Sequence, residues 1–353
     1  MANPELEKRP TEKTSGIKAF TPEGLEDLTS ELKLPKYRTK QLVEWLYGRA
    51  VTSYDEMTNL SKQLRAQLAE KYPLYTPEIL RKQVSEDGTR KYLLRYHDGT
   101  TVETVGIPSK NRLTVCFSTQ AGCPLRCAFC ATGKSGLVRN LAPGEIVDQL
   151  SVVANDFGSR PTNAVAMGQG EPFLNYDYVI GALRFINAKE GLNIGARHLT
   201  VSTSGILPQI RRFSQEPEQF TLAVSLHSAN QDTRNALMPG VRQYSLDRLS
   251  DSLRSYNDMT GRRISLEYAM IDGVNDTMPE LNALQKFCKK LMCHVNLIPI
   301  NSVPGSRFSP SPYEQIELFQ SRLQQAGIEC TIRNSRGSDI DSACGQLSQK
   351  VSK

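Results

Sequence analysis

The chain has 353 residues, 39% hydrophobic and 23% charged, which is enough apolar material for a sizeable core and far from a disordered or collagenous composition. No stretch approaches the roughly 18 uninterrupted apolar residues of a membrane helix, and the polar opening Met1 to Lys13 lacks the apolar centre of an export signal, so a cytoplasmic protein is expected. The formal net charge of +6 is compatible with nucleic acid, but most mildly basic surfaces are merely solvated.

In chain order, Arg38 to Arg49 and Ser61 to Tyr72 carry apolar residues at helical spacing, and the first holds the only tryptophan, Trp45. Lys33, Lys36, Arg38 and Lys40 surround Tyr37, a set that either engages phosphate and a base or opens a solvated helix. Lys91 to Tyr96 and Thr101 to Ile107 read as short strands. Residues 1–100 are therefore expected to form a small, mainly helical accessory domain that binds RNA.

From residue 113 onward, β-branched apolar runs alternate with longer segments of helical period. The predicted strands are Leu113 to Ser118, Asn163 to Gly168, His198 to Thr203, Phe220 to Ser225, Ile264 to Met270 and Val295 to Pro299. The intervening helices fall near Pro143 to Asp156, Tyr176 to Ala188, Pro208 to Phe213, Ser245 to Asn257, Met278 to Lys290 and Pro312 to Ala326. Six such units predict an α/β fold over residues 101–335, a parallel sheet or partial (β/α)6 barrel, followed by a tail at 336–353.

The cysteines give the sharpest signal. Cys123, Cys127 and Cys130 form C-x3-C-x2-C, and a chain with no export signal uses clustered cysteines for metal or redox chemistry more often than for disulfides. Three thiolates on a short loop hold three irons of a 4Fe-4S cube and leave the fourth open to a small molecule. Structural zinc is the competitor, but it needs four ligands and no fourth stands at zinc-finger spacing. Cys288, Cys293 and Cys330 lie in or beside apolar elements and gain no partner at metal-ligand spacing.

In parallel α/β folds the site gathers at the carboxyl ends of the strands. There the sequence places the cysteine loop, Met167-Gly168-Gln169-Gly170-Glu171-Pro172, Ser202-Thr203-Ser204-Gly205, Ser225-Leu226-His227-Ser228 and Pro299-Ile300-Asn301. Glycines 168 and 170 are expected to let a ligand approach the backbone, with Glu171 accepting from its ammonium group. Ser202, Ser225 and Asn301 suit a sugar and a carboxylate, while His227 is either a ligand contact or a buried structural histidine.

These segments, with Val102-Glu103-Thr104-Val105, Cys116 to Cys123, Asn296 to Pro299 and the tail Arg336 to Leu347, resemble the RlmN-like radical S-adenosylmethionine (SAM) enzymes. These are dual-specificity adenine-C2 methyltransferases of 23S rRNA and tRNA. The resemblance covers nearly the whole chain and implies a radical SAM partial barrel. It implies that Cys123, Cys127 and Cys130 hold the cluster, and that Gly170, Glu171, Ser202, Ser225, Leu226, His227 and Asn301 line the SAM pocket. It further implies that Cys344 is the methylated cysteine, Cys116 the resolving cysteine and Glu103 the proton acceptor, where a short strand alone would give a solvated carboxylate. Two departures are visible: Gln169 stands where the family has methionine, which is expected to alter packing near the substrate base, and the tail after Leu347 is short.

Carbon 2 of adenine lies between two ring nitrogens and is too electron-poor to attack a methyl cation equivalent. The route implied by the resemblance uses two SAM molecules per turnover: Cys344 takes a methyl from one, and a 5′-deoxyadenosyl radical from the other activates that methyl for addition to the ring. Loss of the ring proton and attack by Cys116 would release the base and leave a transient Cys116–Cys344 disulfide. An external donor such as flavodoxin or ferredoxin and a monomeric state are expected with it. Lys134, Arg139, Arg333 and Arg336 are candidates for RNA phosphate contacts. The competitors are methylation at carbon 8, a radical enzyme acting on protein or a small molecule, and a non-catalytic zinc RNA-binding protein.

Overall fold

The computed structural model describes residues 15–301, 306–333, 335–343 and 345–347. Three helices open it: α1 (Pro22–Glu31), α2 (Tyr37–Val43) and α3 (Lys62–Lys71). Side-chain oxygens of Thr21 and Ser61 cap the first and third by accepting from Gly24 N and Leu64 N. The helix expected to run to Arg49 changes at Glu44 into a wide turn to Gly48, which buries Trp45, Leu46 and Tyr47.

One ten-stranded sheet organises the rest: β1 (Glu78–Val84), β2 (Arg90–Arg95), β3 (Thr101–Ser109), β4 (Arg112–Cys116), β7 (Asn163–Ala166), β8 (Leu199–Thr203), β9 (Thr221–Ser225), β10 (Ile264–Met270), β11 (Cys293–Pro299) and β12 (Glu329–Ile332), in that spatial order. Strands β1 to β4 pair antiparallel, and from β4 to β12 every pairing is parallel. The sheet passes without a break through residue 100, because β2 pairs with β3 and β3 with β4. Sequential order in the parallel part means each crossover winds the same way, which puts the helices on one face and leaves the other as an interior.

The crossovers contain α5 (Pro143–Phe157), α6 (Tyr176–Asn187), α7 (Leu207–Phe213), α8 (Gln231–Leu237), α9 (Leu246–Thr260), α10 (Met278–Cys288) and α11 (Tyr313–Gln325). Proline at the first turn and glycine 158 in the left-handed region delimit α5, while Ser245 and Gly261 do the same for α9. The six predicted strands and six predicted helices are all present. Two strands end earlier than expected, at Cys116 and Ala166; of the released residues Met167 and Gly168 enter the site, while Phe117 and Ser118 stay buried.

Several elements escaped the sequence. Strand β1 is almost wholly exposed and has no alternation to reveal it. Strand β12 is four residues long, and α8 is largely polar. The hairpin of β5 (Gln120–Gly122) and β6 (Leu137–Asn140) frames the cysteine loop, which also contains the one-turn helix α4 (Ala131–Lys134).

Candidate active site

The cysteine loop leaves and re-enters the β5–β6 hairpin, closed by Cys123 N donating to Gly136 O at 2.8 Å. It is pinned from three sides: Ala128 N donates to Leu237 O at 2.9 Å, Gly240 N to Leu125 O at 3.1 Å, and Ala131 N to Gly345 O at 2.8 Å. The Cys123, Cys127 and Cys130 side chains line one cavity of about 160 Å³. Burial pushes the Cys123 thiol up to about 12 and raises Cys127, with the neighbouring cysteine thiols adding to the latter.

Thiolates in such a place need positive charge beside them, which the irons of a cluster supply. Among the described residues no three His, Cys, Asp or Glu side chains converge as a single metal ion requires. A cube does not require it, since each thiolate takes its own iron. The donor set fits a cluster with one open corner.

Gly170, Glu171, Ser202, Ser225, His227 and Asn301 line the same cavity. Leu226 does not; it is fully buried in the core and its N–H donates to Glu267 O. The glycines at 168 and 170 have a reason other than the expected one. A Cβ at Gly168 would lie 2.7 Å from Phe117 O, and one at Gly170, where φ is +103°, 2.8 Å from Gln120 N. The chain itself fills the space, so the loop after β7 can press against the residues released from β4.

Glu171 is buried, its Oε1 accepting from Phe173 N at 3.0 Å and its Oε2 from Ser204 N at 2.7 Å. Burial raises its pKa, and the hydrogen bonds from Ser204 and Phe173 oppose the rise. His227 has the buried, hydrogen-bonded place of a structural histidine and also lines the cavity. Its Nδ1 accepts from Ala269 N at 3.0 Å, which fixes the ring, and the ring also lines the cavity edge-on to Phe129.

The sequence reading missed Met238 and Glu267, which share the lining; Met167 and Ser204 it placed in the strand-end segments without a role, and Arg333 it set aside for RNA phosphate. Glu267 carried a signal, as a carboxylate interrupting the apolar strand Ile264–Met270. Its Oε1 accepts from Ser265 Oγ and Asn296 Nδ2, and Arg333 Nη1 lies 3.9 Å from its Oε2.

A second cavity of about 280 Å³ adjoins the first, sharing Cys130, Met167, Gly168, Asn301 and Arg333 with it. Cys116, Thr114 and Ile107 form its sheet side, and Ser342, Ala343 and Gly345 of the tail form another. Cys344 itself lies outside the described residues. Glu103 is not a solvated carboxylate: it is buried on β3 with Lys91 Nζ 3.3 Å from its Oε1. Gln169 lines neither cavity; it is buried, its N–H bonded to Ser118 Oγ and its carbonyl accepting from Thr119 N.

The basic candidates divide. Arg139 is buried, its guanidinium held by both carboxylate oxygens of Glu145 at 2.8 Å and by Asp98 at 2.7 and 3.1 Å, so it does not face RNA phosphate. Lys134 and Arg336 are exposed, and Arg333 is part of both cavity walls. Lys33, Lys36, Tyr37 and Lys40 are exposed, while Arg38 donates to Gln41 and to Asn59 O. Cys288 and Cys330 are buried and Cys293 is half-buried, among apolar neighbours.

Residues 117–283 match the Radical SAM superfamily, and residues 17–73 match the ribosomal RNA large subunit methyltransferase N-terminal domain. The crystal structure of a radical SAM methyltransferase from Sphaerobacter thermophilus superposes with a TM-score of 0.89 at 43% identity, covering 95% of this chain and 100% of that one. Fold and site define a radical SAM methyltransferase, which works with a 4Fe-4S cluster and SAM.

A probable dual-specificity RNA methyltransferase RlmN from Staphylococcus carnosus is 46% identical over 331 residues, 93% of this chain and 91% of the relative. Its counterpart from Clostridium novyi is 43% identical over 329 residues, 93% and 96% of the two chains. The chain belongs to the RlmN family of dual-specificity RNA methyltransferases.

Proposed function

We propose that this enzyme methylates carbon 2 of an adenosine near the peptidyl-transferase centre of 23S rRNA and of the adenosine just 3′ of the anticodon in certain tRNAs, through a methyl carried on Cys344. One observation supports this reading above the others. Cys130 of the cysteine loop, Cys116 at the end of β4, and Ala343 and Gly345 on either side of Cys344 line one cavity.

In this reading Cys123, Cys127 and Cys130 hold three irons. Glu171 receives the ammonium of SAM, Ser202, Ser225 and Asn301 its sugar and carboxylate, and His227 closes the wall beside them. The bound cluster and SAM supply an electron, a carbon radical and, from a second SAM molecule, the methyl group.

The chain's own residues do the rest. Cys344 thiolate is the soft nucleophile that accepts the methyl. Once the methylene joins sulfur to the electron-poor ring, Glu103 takes the ring proton, and the one electron left over as the ring regains aromaticity would pass to the bound cluster. Cys116 thiolate then attacks the Cys344 sulfur, the carbon–sulfur electron pair stays on carbon, which takes up a proton to become the methyl group, and the methylated base leaves with a Cys116–Cys344 disulfide remaining. Two electrons from an external thiol reopen it. The target base must leave its stack to reach the cavity, at a cost of roughly a few kcal/mol, and Lys134, Arg333 and Arg336 supply phosphate contacts around the mouth.

The helices before residue 74 carry the family's N-terminal region and serve as an RNA-binding unit. A flavodoxin- or ferredoxin-type donor, a monomeric state and a cytoplasmic setting complete the proposal. Among the described residues no helix is long and apolar enough to cross a membrane.

Anaerobic reconstitution with methyl-labelled SAM, followed by peptide and nucleoside mass spectrometry, tests it. Label on Cys344 and on carbon 2 is expected, and Cys116→Ala should accumulate a protein–RNA adduct. Label on carbon 8 reverses the regiochemistry, and full turnover by Cys344→Ala removes the carrier.

A further inference from the structure

Lys91 is a buried ammonium on a strand whose neighbours, Tyr92, Leu93 and Leu94, are apolar core residues. Register fixes which way it points. Lys91 pairs with Val105 of β3, and Val105 pairs with Cys116 of β4. Residues paired across antiparallel strands share a face, so Lys91, Val105 and Cys116 form one row, with Glu103 two residues along β3 on the same side. The opposite face is covered by α5, since a Cβ at the adjacent Gly106 would lie 2.6 Å from the Phe157 ring.

On the interior face Lys91 Nζ makes two contacts among the described residues. It lies 3.3 Å from Glu103 Oε1 and donates to the main-chain carbonyl of Asp341 at 3.1 Å. One side chain thus joins the β3 carboxylate to the tail, three positions before Cys344. Desolvating an ammonium and a carboxylate and ordering a long side chain are unfavourable, and an apolar pair of the same volume would stabilise the sheet better. The β1–β2 turn holds the same stretch of tail from outside: Ser85 Oγ donates to Asp339 Oδ1 at 2.6 Å, and Gly337 N to Asp87 Oδ2 at 3.1 Å.

We propose that Lys91 is a positioning residue of the methyl-transfer cycle, tethering the tail at Asp341 so that the methyl carrier works at a fixed place relative to Glu103 and Cys116. This rests on the reading that Cys344 carries the methyl and Glu103 takes the ring proton. The β1–β2 turn clamps the tail; Lys91 alone of these residues also reaches the carboxylate.

The test combines hydrogen exchange of the tail amides at 337–343 in the reconstituted holoenzyme with anaerobic turnover. Lys91→Met should speed exchange there about tenfold or more and lower kcat for RNA methylation on the order of a hundredfold, the scale of a 1 Å misplacement. KM for RNA and the labelling of the protein by methyl from SAM should stay within about twofold. Lys91→Arg, which can still donate to both groups, should recover at least about a tenth of the rate.

If Lys91→Met does not fold because the buried Glu103 carboxylate loses the Lys91 ammonium, the double variant Lys91→Met, Glu103→Gln removes both charges, and its tail should still exchange fast. Unchanged exchange in the folded variants refutes the tether, and fast exchange with undiminished RNA methylation by Lys91→Met refutes the positioning role. Wild-type protein that never becomes methylated at Cys344 sinks the underlying reading instead, and the exchange data still decide the tether.

Discussion

His227 shows how much the interior changes a single residue. It leaves β9 at φ 55°, a left-handed conformation that only surrounding structure sustains, here through Asn275 Nδ2 donating to its carbonyl. Burial, helped by the nearby Arg234 charge, takes its pKa down to about 3. With Nδ1 accepting from Ala269 N, the neutral ring carries its proton on Nε2 and can offer it to the cavity. Between pH 6.5 and about 3 the unfolded chain binds a proton that the folded one refuses, so this group makes stability fall as pH falls through that window. The expected slope approaches about 1.4 kcal/mol per pH unit. Denaturant titrations of wild type and His227→Gln at several pH values should differ by that dependence, and parallel curves would contradict the assignment. Glu103 makes the same point in reverse: as a lone carboxylate on a short strand it reads as solvated, and only the fold sets Lys91 against it.

At the scale of elements, the site depends on close approach between the ends of β4 and β7. Gly168→Ala would drive a methyl to 2.7 Å from Phe117 carbonyl atoms and 2.8 Å from Ser118 Oγ. Relieving that overlap costs about 1–3 kcal/mol and moves the loop carrying Glu171. A lower Tm together with weaker SAM binding is expected; weaker binding at unchanged Tm would mean that the methyl blocks ligand rather than displacing chain. Arg139 is the second tie, joining β6 to the start of α5 through Glu145 and to the β2–β3 turn through Asp98. Removing one member of a buried ionic cluster strands the others, so Arg139→Met should lose about 3–5 kcal/mol of stability. Its RNA affinity should keep the wild-type salt dependence, whereas a charge that does contact phosphate, such as Lys134 or Arg336 in our proposal, should lower the slope by about one when removed.

Across the whole molecule the opening helices and the sheet share one apolar core. Tyr47 packs on Phe185 of α6 with ring centroids 4.5 Å apart, and Lys18 Nζ reaches both oxygens of Asp148 on α5 at 2.7 and 2.8 Å. That continuity predicts a single cooperative transition. Fluorescence from Trp45, the only tryptophan, reports the helical part and far-ultraviolet dichroism the whole chain, and their unfolding curves should coincide. Lys18→Met leaves the buried Asp148 carboxylate alone and should move both curves together by about 3–5 kcal/mol. Two separated transitions would show that the helical part folds on its own.

By itself the sequence determined the alternation of six strands and six helices, the cysteine triad and the strand-end clusters, because each is written in local periodicity or spacing. It did not determine β1, whose residues are nearly all exposed, or the β5–β6 hairpin, whose short strands are stabilised by the loop they close. Gly168 and Arg139 took their roles from chain segments far away in sequence, at Phe117 and Asp98, and a contact over such a distance leaves no local pattern. Only the tertiary structure decided that the tail rests against β2 and the cysteine loop. Hydrogen bonds such as Lys91 to Asp341 and Thr132 to Leu347 join residues more than 200 positions apart, and they exist because the sheet first brings their elements together.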